Sequence, residues 1–87
     1  MKKDKTKQIK MLRREVEARL KKRLEVVQLV MSLGPMSMSG MIQIVVTFEA
    51  RVKGELRKCK YTLPVHYPFD DETPVWISAG LYDSVTF

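Results

Sequence analysis

The sequence predicts an α+β domain, a long N-terminal helix followed by a three- to four-stranded antiparallel meander. Three observations carry that expectation. Apolar side chains recur every three or four residues from Ile9 to Met31, they alternate one by one from Ile42 to Val52, and Gly34-Pro35 stands between the two patterns. At 87 residues the chain has room for one hydrophobic core. Its 45% hydrophobic content is that of a folded chain and not of a disordered one.

The helical stripe consists of Ile9, Leu12, Val16, Leu20, Leu24, Val27 and Met31. A mean step of about 3.7 residues keeps it nearly straight along a helix, without the winding of a strict heptad seam. Val26, Leu29, Val30 and Leu33 widen the stripe, so its last two turns are expected to be the best buried. Gly34-Pro35 supplies the stop, a permissive cap position followed by a residue that cannot continue the ladder. Residues 1–33 are therefore read as a basic amphipathic helix, 34–41 as a Gly/Pro/Met/Ser linker and 42–87 as the sheet domain. Met36, Met38 and Met41 belong to that linker, with an adaptable docking surface as the alternative.

In the second half, Lys53-Gly54 reads as a two-residue hairpin turn. It would pair Val52 with Glu55, and hence Phe48 with Cys59, Val46 with Tyr61, Ile44 with Leu63 and Ile42 with Val65. Glu49 then meets Lys58 on the other face, and a one-residue slip would lose both matches. Ile42, Ile44, Val46, Phe48, Tyr61, Leu63 and Ile77 are the expected sheet-facing set. Turn and proline signals fill Pro64 to Pro74, Val75–Ala79 reads as a short third strand, and 80–87 as an extended segment or an exchanged arm.

Leu63-Pro64, the spacer Val65-His66, Tyr67-Pro68 and then Thr73-Pro74 follow the hairpin in that order. This run resembles the centre of the ubiquitin-conjugating fold, and in particular its non-catalytic RWD branch, over about residues 41–82. The resemblance implies a helix, a meander and a structural Tyr-Pro turn formed by Pro64, Tyr67, Pro68 and Pro74. It also implies an adaptor or dimerisation role, as in kinetochore components that join such a domain to a coiled coil. Tyr82-Asp83-Ser84 stands near where the enzymes carry a tyrosine-histidine-proline-asparagine stretch, and Cys59 is mid-strand, so the nucleophilic cysteine has no counterpart at these positions.

Physical chemistry points the same way on catalysis. Cys59 reads as a small buried hydrophobe, since Lys58 and Lys60 point to the opposite strand face. His66 is the only histidine and lacks a second nitrogen or sulfur ligand, so no metal site is expected and no cofactor. No glycine-rich phosphate loop or nucleophile elbow occurs, and an enzyme is not expected.

Charge divides the chain unevenly. Residues 1–40 hold eleven Lys+Arg and four acids, and residues 41–87 hold five and six. Lys10, Arg13, Arg14, Lys21 and Lys22 are the candidate phosphate contacts, against a solvated helix face laced by the i,i+4 pairs Arg13-Glu17 and Lys21-Glu25. With no aromatic residue between 1 and 47, base stacking along the helix is not expected.

Helix length sets the functional expectation. Gln8 to Leu33 would span about 39 Å, whereas the 47 remaining residues make a body about 25 Å across. Ile9, Leu12 and Val16 would overhang the sheet, at about 1.5–3 kcal/mol for each side chain left in water. A partner protein or second copy is the expected cover, which makes the chain a non-catalytic protein–protein interaction module that assembles through its helix. The alternative is a small basic nucleic-acid-binding or inhibitor protein. Short apolar runs such as Leu29-Val30-Met31 and charges throughout residues 2–25 exclude a membrane span and a secretory leader, so an intracellular chain, cytoplasmic or nuclear, is expected.

Overall fold

A computed structural model describes residues 5–38 and 40–86, apart from the side chains at 5, 35–38 and 61. The elements are α1 (Lys5–Lys21), β1 (Glu25–Met38), β2 (Met41–Val52), β3 (Glu55–His66) and α2 (Thr73–Thr86). The strands form one antiparallel sheet in the order β1-β2-β3, and both helices cover the same face of it. The α+β class and the antiparallel meander stand. The long helix and the placement of two of the strands do not.

Helix α1 ends after 17 residues, about 25 Å. The carbonyl of Leu20 then accepts from the N–H groups of both Arg23 (3.0 Å) and Leu24 (2.8 Å), closing a tight turn. The stretch from Glu25 to Leu33, expected as helix, is the first strand. Leu24, Val27 and Met31 satisfy a helical period, but the same stretch alternates Leu29, Met31 and Leu33 with Gln28, Val30 and Ser32. Three valines, stiff at χ1, favour the extended form. A partner strand decides the matter, because Leu29 lies opposite Phe48 and Met31 opposite Val46.

This turn removes the overhang. Ile9, Leu12, Val16 and Leu20 are 0–4% exposed and packed within the chain's own core. Leu24 is half-buried at the sheet end, and Val27, in a register shift of β1, is exposed. The cost of leaving a rod of apolar residues in water is real, and the chain avoids it by ending the helix and folding back.

Residues 34–38, read as the start of a linker, are likewise the end of β1, and Met41 already begins β2. At Gly34 a Cβ would stand 3.0 Å from Cβ of Gln43 and 3.2 Å from its carbonyl oxygen, so glycine permits the close approach where the register shifts between Leu33 and Ser37. Pro35 falls inside that shift on an edge strand, where its missing N–H breaks no ladder bond. The side chains of Met36 and Met38, and all of Ser39, lie outside the described residues.

Hairpin β2–β3 has the register read from the sequence, pair for pair: Val52↔Glu55, Phe48↔Cys59, Val46↔Tyr61, Ile44↔Leu63 and Ile42↔Val65. Lys53 (φ 54°) and Gly54 (φ 80°) both take the positive φ that a two-residue turn of type I′ requires. Glu49 and Lys58 approach to 4.0 Å on the outer face. Pro64 sits on β3, an edge strand that continues to His66.

The expected third strand, Val75–Ala79, is instead the first half of α2, which extends through the segment read as a tail or arm. Its buried residues Pro74, Ile77, Leu81 and Val85 fall three or four apart, with Thr73 and Ser78 buried beside them, and Ile77 reaches the core from the helix. Pro74 is tolerated in the first turn, where no intrahelical N–H is needed. Asp70 prepares that turn. Its Oδ1 accepts from the hydroxyl of Thr73 and the N–H groups of Glu72 and Thr73, each at 3.0 Å. These bonds, led by the Thr73 hydroxyl, hold the Asp70 carboxyl below its ordinary pKa.

Two outcomes are expected. Phe48, fully buried in the core that both helices help to form, should cost about 3–5 kcal/mol in urea unfolding when replaced by Ala; a loss below about 1 kcal/mol would contradict its place in the core. A lowered folded pKa means that the contribution of Asp70 is present above the ordinary carboxylate range and is lost as pH falls through the folded value. Asp70→Asn should therefore lose less stability than the parent between neutral pH and about pH 3, and equal acid slopes would rule the assignment out.

Candidate functional site

The two helices run in the same sense. Helix α1 begins beside Met31 and Leu33 and ends just before Glu25, while α2 begins after His66, opposite Met41, and ends beside Arg51 and Lys53. Their C-termini thus converge at the end of the sheet that holds the Lys53-Gly54 turn. Two open grooves lie there. The larger, about 700 Å³, takes Lys21 and Arg23 from the α1 end, Arg51 and Lys53 from the hairpin, and Tyr82 and Thr86 from α2. The second, about 310 Å³, runs between the helices, with Arg19, Lys22 and Arg23 on one wall and Val75, Ser78 and Tyr82 on the other.

Arg23 and Tyr82 border both grooves. The guanidinium carbon of Arg23 lies 3.6 Å from the centroid of the Tyr82 ring, at stacking distance over its face. Arg23 is solvent-exposed and Tyr82 is half-buried against the core. The turn that closes on the Leu20 carbonyl holds the backbone of Arg23, and Ile77, Leu81 and Val85 anchor the helix beneath Tyr82.

Charge balance decides whether these cations merely serve the fold. Six of them (Arg19, Lys21, Lys22, Arg23, Arg51 and Lys53) line the two grooves together with one carboxylate, Glu25. Glu25 binds Arg51 at 3.1 Å, and Glu17 holds Lys21 at 3.3 Å. Two helix C-termini add about one negative charge between them. About three positive charges remain uncompensated, and among the described residues Arg19, Lys22 and Lys53 make no ion pair. Glu15 and Asp71 mark the boundary of the basic surface, beyond Arg19 and Lys22.

The sequence candidates separate accordingly. Lys22 and Lys21 belong to the converging end. Lys10 and Arg14 flank a shallow depression of about 400 Å³ on the outward side of α1, away from the grooves. Arg13 is tied to Glu17 at 2.8 Å, the pair read from the sequence. The expected Lys21-Glu25 pair does not form, because Glu25 has left the helix for β1. Tyr67 packs edge-to-face on Phe69 (5.4 Å, 89°) with its hydroxyl buried. Pro64, Tyr67, Pro68 and Pro74 thus shape the route from β3 into α2. Cys59 is half-buried beside Phe48, and burial pushes its thiol up, away from the thiolate. Among the described residues no group of three His, Cys, Asp or Glu side chains is placed to hold a metal ion, and no helix is long and apolar enough to cross a membrane.

No protein-family model, curated protein or solved structure matches this chain.

Sequence reasoning missed Arg19, Arg51, Lys53 and Tyr82. The hairpin register already carried Arg51 and Lys53 to one end of the sheet. Tyr82 became legible only with α2, whose spacing of Pro74, Ile77, Leu81 and Val85 was the signal for a helix.

Proposed function

We propose that this chain is a small, non-catalytic, intracellular nucleic-acid-binding protein that grips phosphates with the end where its helices and hairpin turn converge. The supporting observation is the excess of cations around the two joined grooves, which ion pairs and helix ends do not exhaust. Phosphate contacts of this kind release counterions and need no base recognition. Assembly through the α1 stripe is the weaker reading, because that stripe is already covered within the chain.

A protein contact is favoured by a different observation, the uncovered outer face of the sheet. Val30 is 42% and Leu56 43% exposed there, among Thr47, Lys58 and Lys60. An RWD-like relationship would fit such a role. It has in its favour the order helix, meander, Tyr67-Pro68.

The test is fluorescence anisotropy of a labelled oligonucleotide across a salt series. Three to four contacts to a single strand predict a slope of log K against log salt of about −2 to −3. Arg19→Gln and Lys22→Gln, both exposed, should each make that slope shallower by about one unit or less while leaving the melting temperature nearly unchanged. A slope near zero in the parent protein would overturn the proposal.

A further inference from the structure

We infer that the Arg23–Tyr82 stack is a platform for an unpaired base, so that the ligand of the basic end is single-stranded nucleic acid; this rests on the phosphate-binding reading above. The contact occupies one face of the guanidinium and leaves the other toward solvent, since Arg23 is exposed while Tyr82 is half-buried. Stacking over a ring does not consume the in-plane N–H donors, and among the described residues no carboxylate pairs with Arg23. The platform therefore offers a flat cationic surface for a base and donors at its rim for the adjoining phosphate. Grooves on both sides of it give the strand a way in and a way out, with Lys21, Arg51 and Lys53 along one and Arg19 and Lys22 along the other.

A duplex cannot use this surface, because its bases are stacked on one another and present only edges in the grooves. A single strand can turn a base onto an arginine plane or an aromatic ring. Few side chains near the platform are free to read base edges. The hydroxyl of Thr86 donates to the Tyr82 carbonyl (2.7 Å) and that of Ser78 to the Val75 carbonyl (2.9 Å), so both aliphatic hydroxyl protons there are engaged by the helix itself. Binding should accordingly tolerate changes of base sequence.

The experiment compares three labelled probes of equal length at one salt concentration: a single strand, the same strand without bases, and the duplex. The parent protein should bind the base-bearing strand about five- to a hundredfold more tightly than the abasic one. Arg23→Lys, which keeps the charge and loses the plane, should remove most of that ratio with little change in affinity for the abasic strand. Tyr82→Phe should preserve the ratio and Tyr82→Leu should reduce it. Equal binding of base-bearing and abasic strands by the parent would overturn the platform and leave the phosphate grip standing. Absence of binding to all three probes at low salt would overturn both.

Discussion

The inner face of β2 is the constraint on which the other elements depend. Ile44, Val46 and Phe48 are wholly buried, and Ile42 nearly so. β1 reaches them through Leu29 and Met31, β3 through Leu63 and Val65, and the helices add Val16, Leu20, Ile77 and Leu81 to the same cluster. A one-residue slip of this central strand would turn its buried set to solvent. At about 1.5–3 kcal/mol each, the four large side chains are together worth about 6–12 kcal/mol, comparable to the whole stability of an ordinary domain, about 5–15 kcal/mol. Register and helix placement are thereby locked together, and so is the position of everything at the hairpin end.

That interdependence explains what could be read from the chain beforehand. The β2–β3 register was legible because two independent patterns, apolar on one face and Glu49 with Lys58 on the other, agree only when Lys53-Gly54 is the turn. β1 was not legible, since Leu24, Val27 and Met31 suit a helix while Leu29 and Met31 suit a strand, and only the neighbour across the ladder separates the two. In α2, Val75-Trp76-Ile77 has strand propensity and Gly80 is a poor helix residue. Burial of Ile77, Leu81 and Val85 overrides both. At the candidate site the helix cations were visible as composition. Their gathering with Arg51, Lys53 and Tyr82 is a tertiary fact, and the absence of aromatic residues before Phe48 says nothing about a ring delivered from residue 82.

Placing so many cations at one end is physically coherent. Like charges repel, but both helices direct their partly negative carbonyl ends to the same place. Helix α2 has no basic residue of its own in its last turn, and Arg23 lies over the ring of Tyr82 within that turn's reach. The fold thus offsets part of the repulsion without neutralising the surface, which a matching set of carboxylates would have done.

Arg13 and Arg23 show how much depends on what a guanidinium meets. Glu17 approaches Arg13 along its N–H edge at 2.8 Å, so a donor that would bind a phosphate is occupied and part of the charge is offset by a carboxylate shared with Lys21. Tyr82 approaches Arg23 through its face, so the group is held in place with its charge and its edge donors intact. An ion pair would also have fixed Arg23, but it would have offset its charge and taken one or two of its edge donors. Orientation by an aromatic face is the arrangement that both immobilises the group and keeps it chemically available, and that difference, more than the number of lysines and arginines, distinguishes the converging end from the outward side of α1.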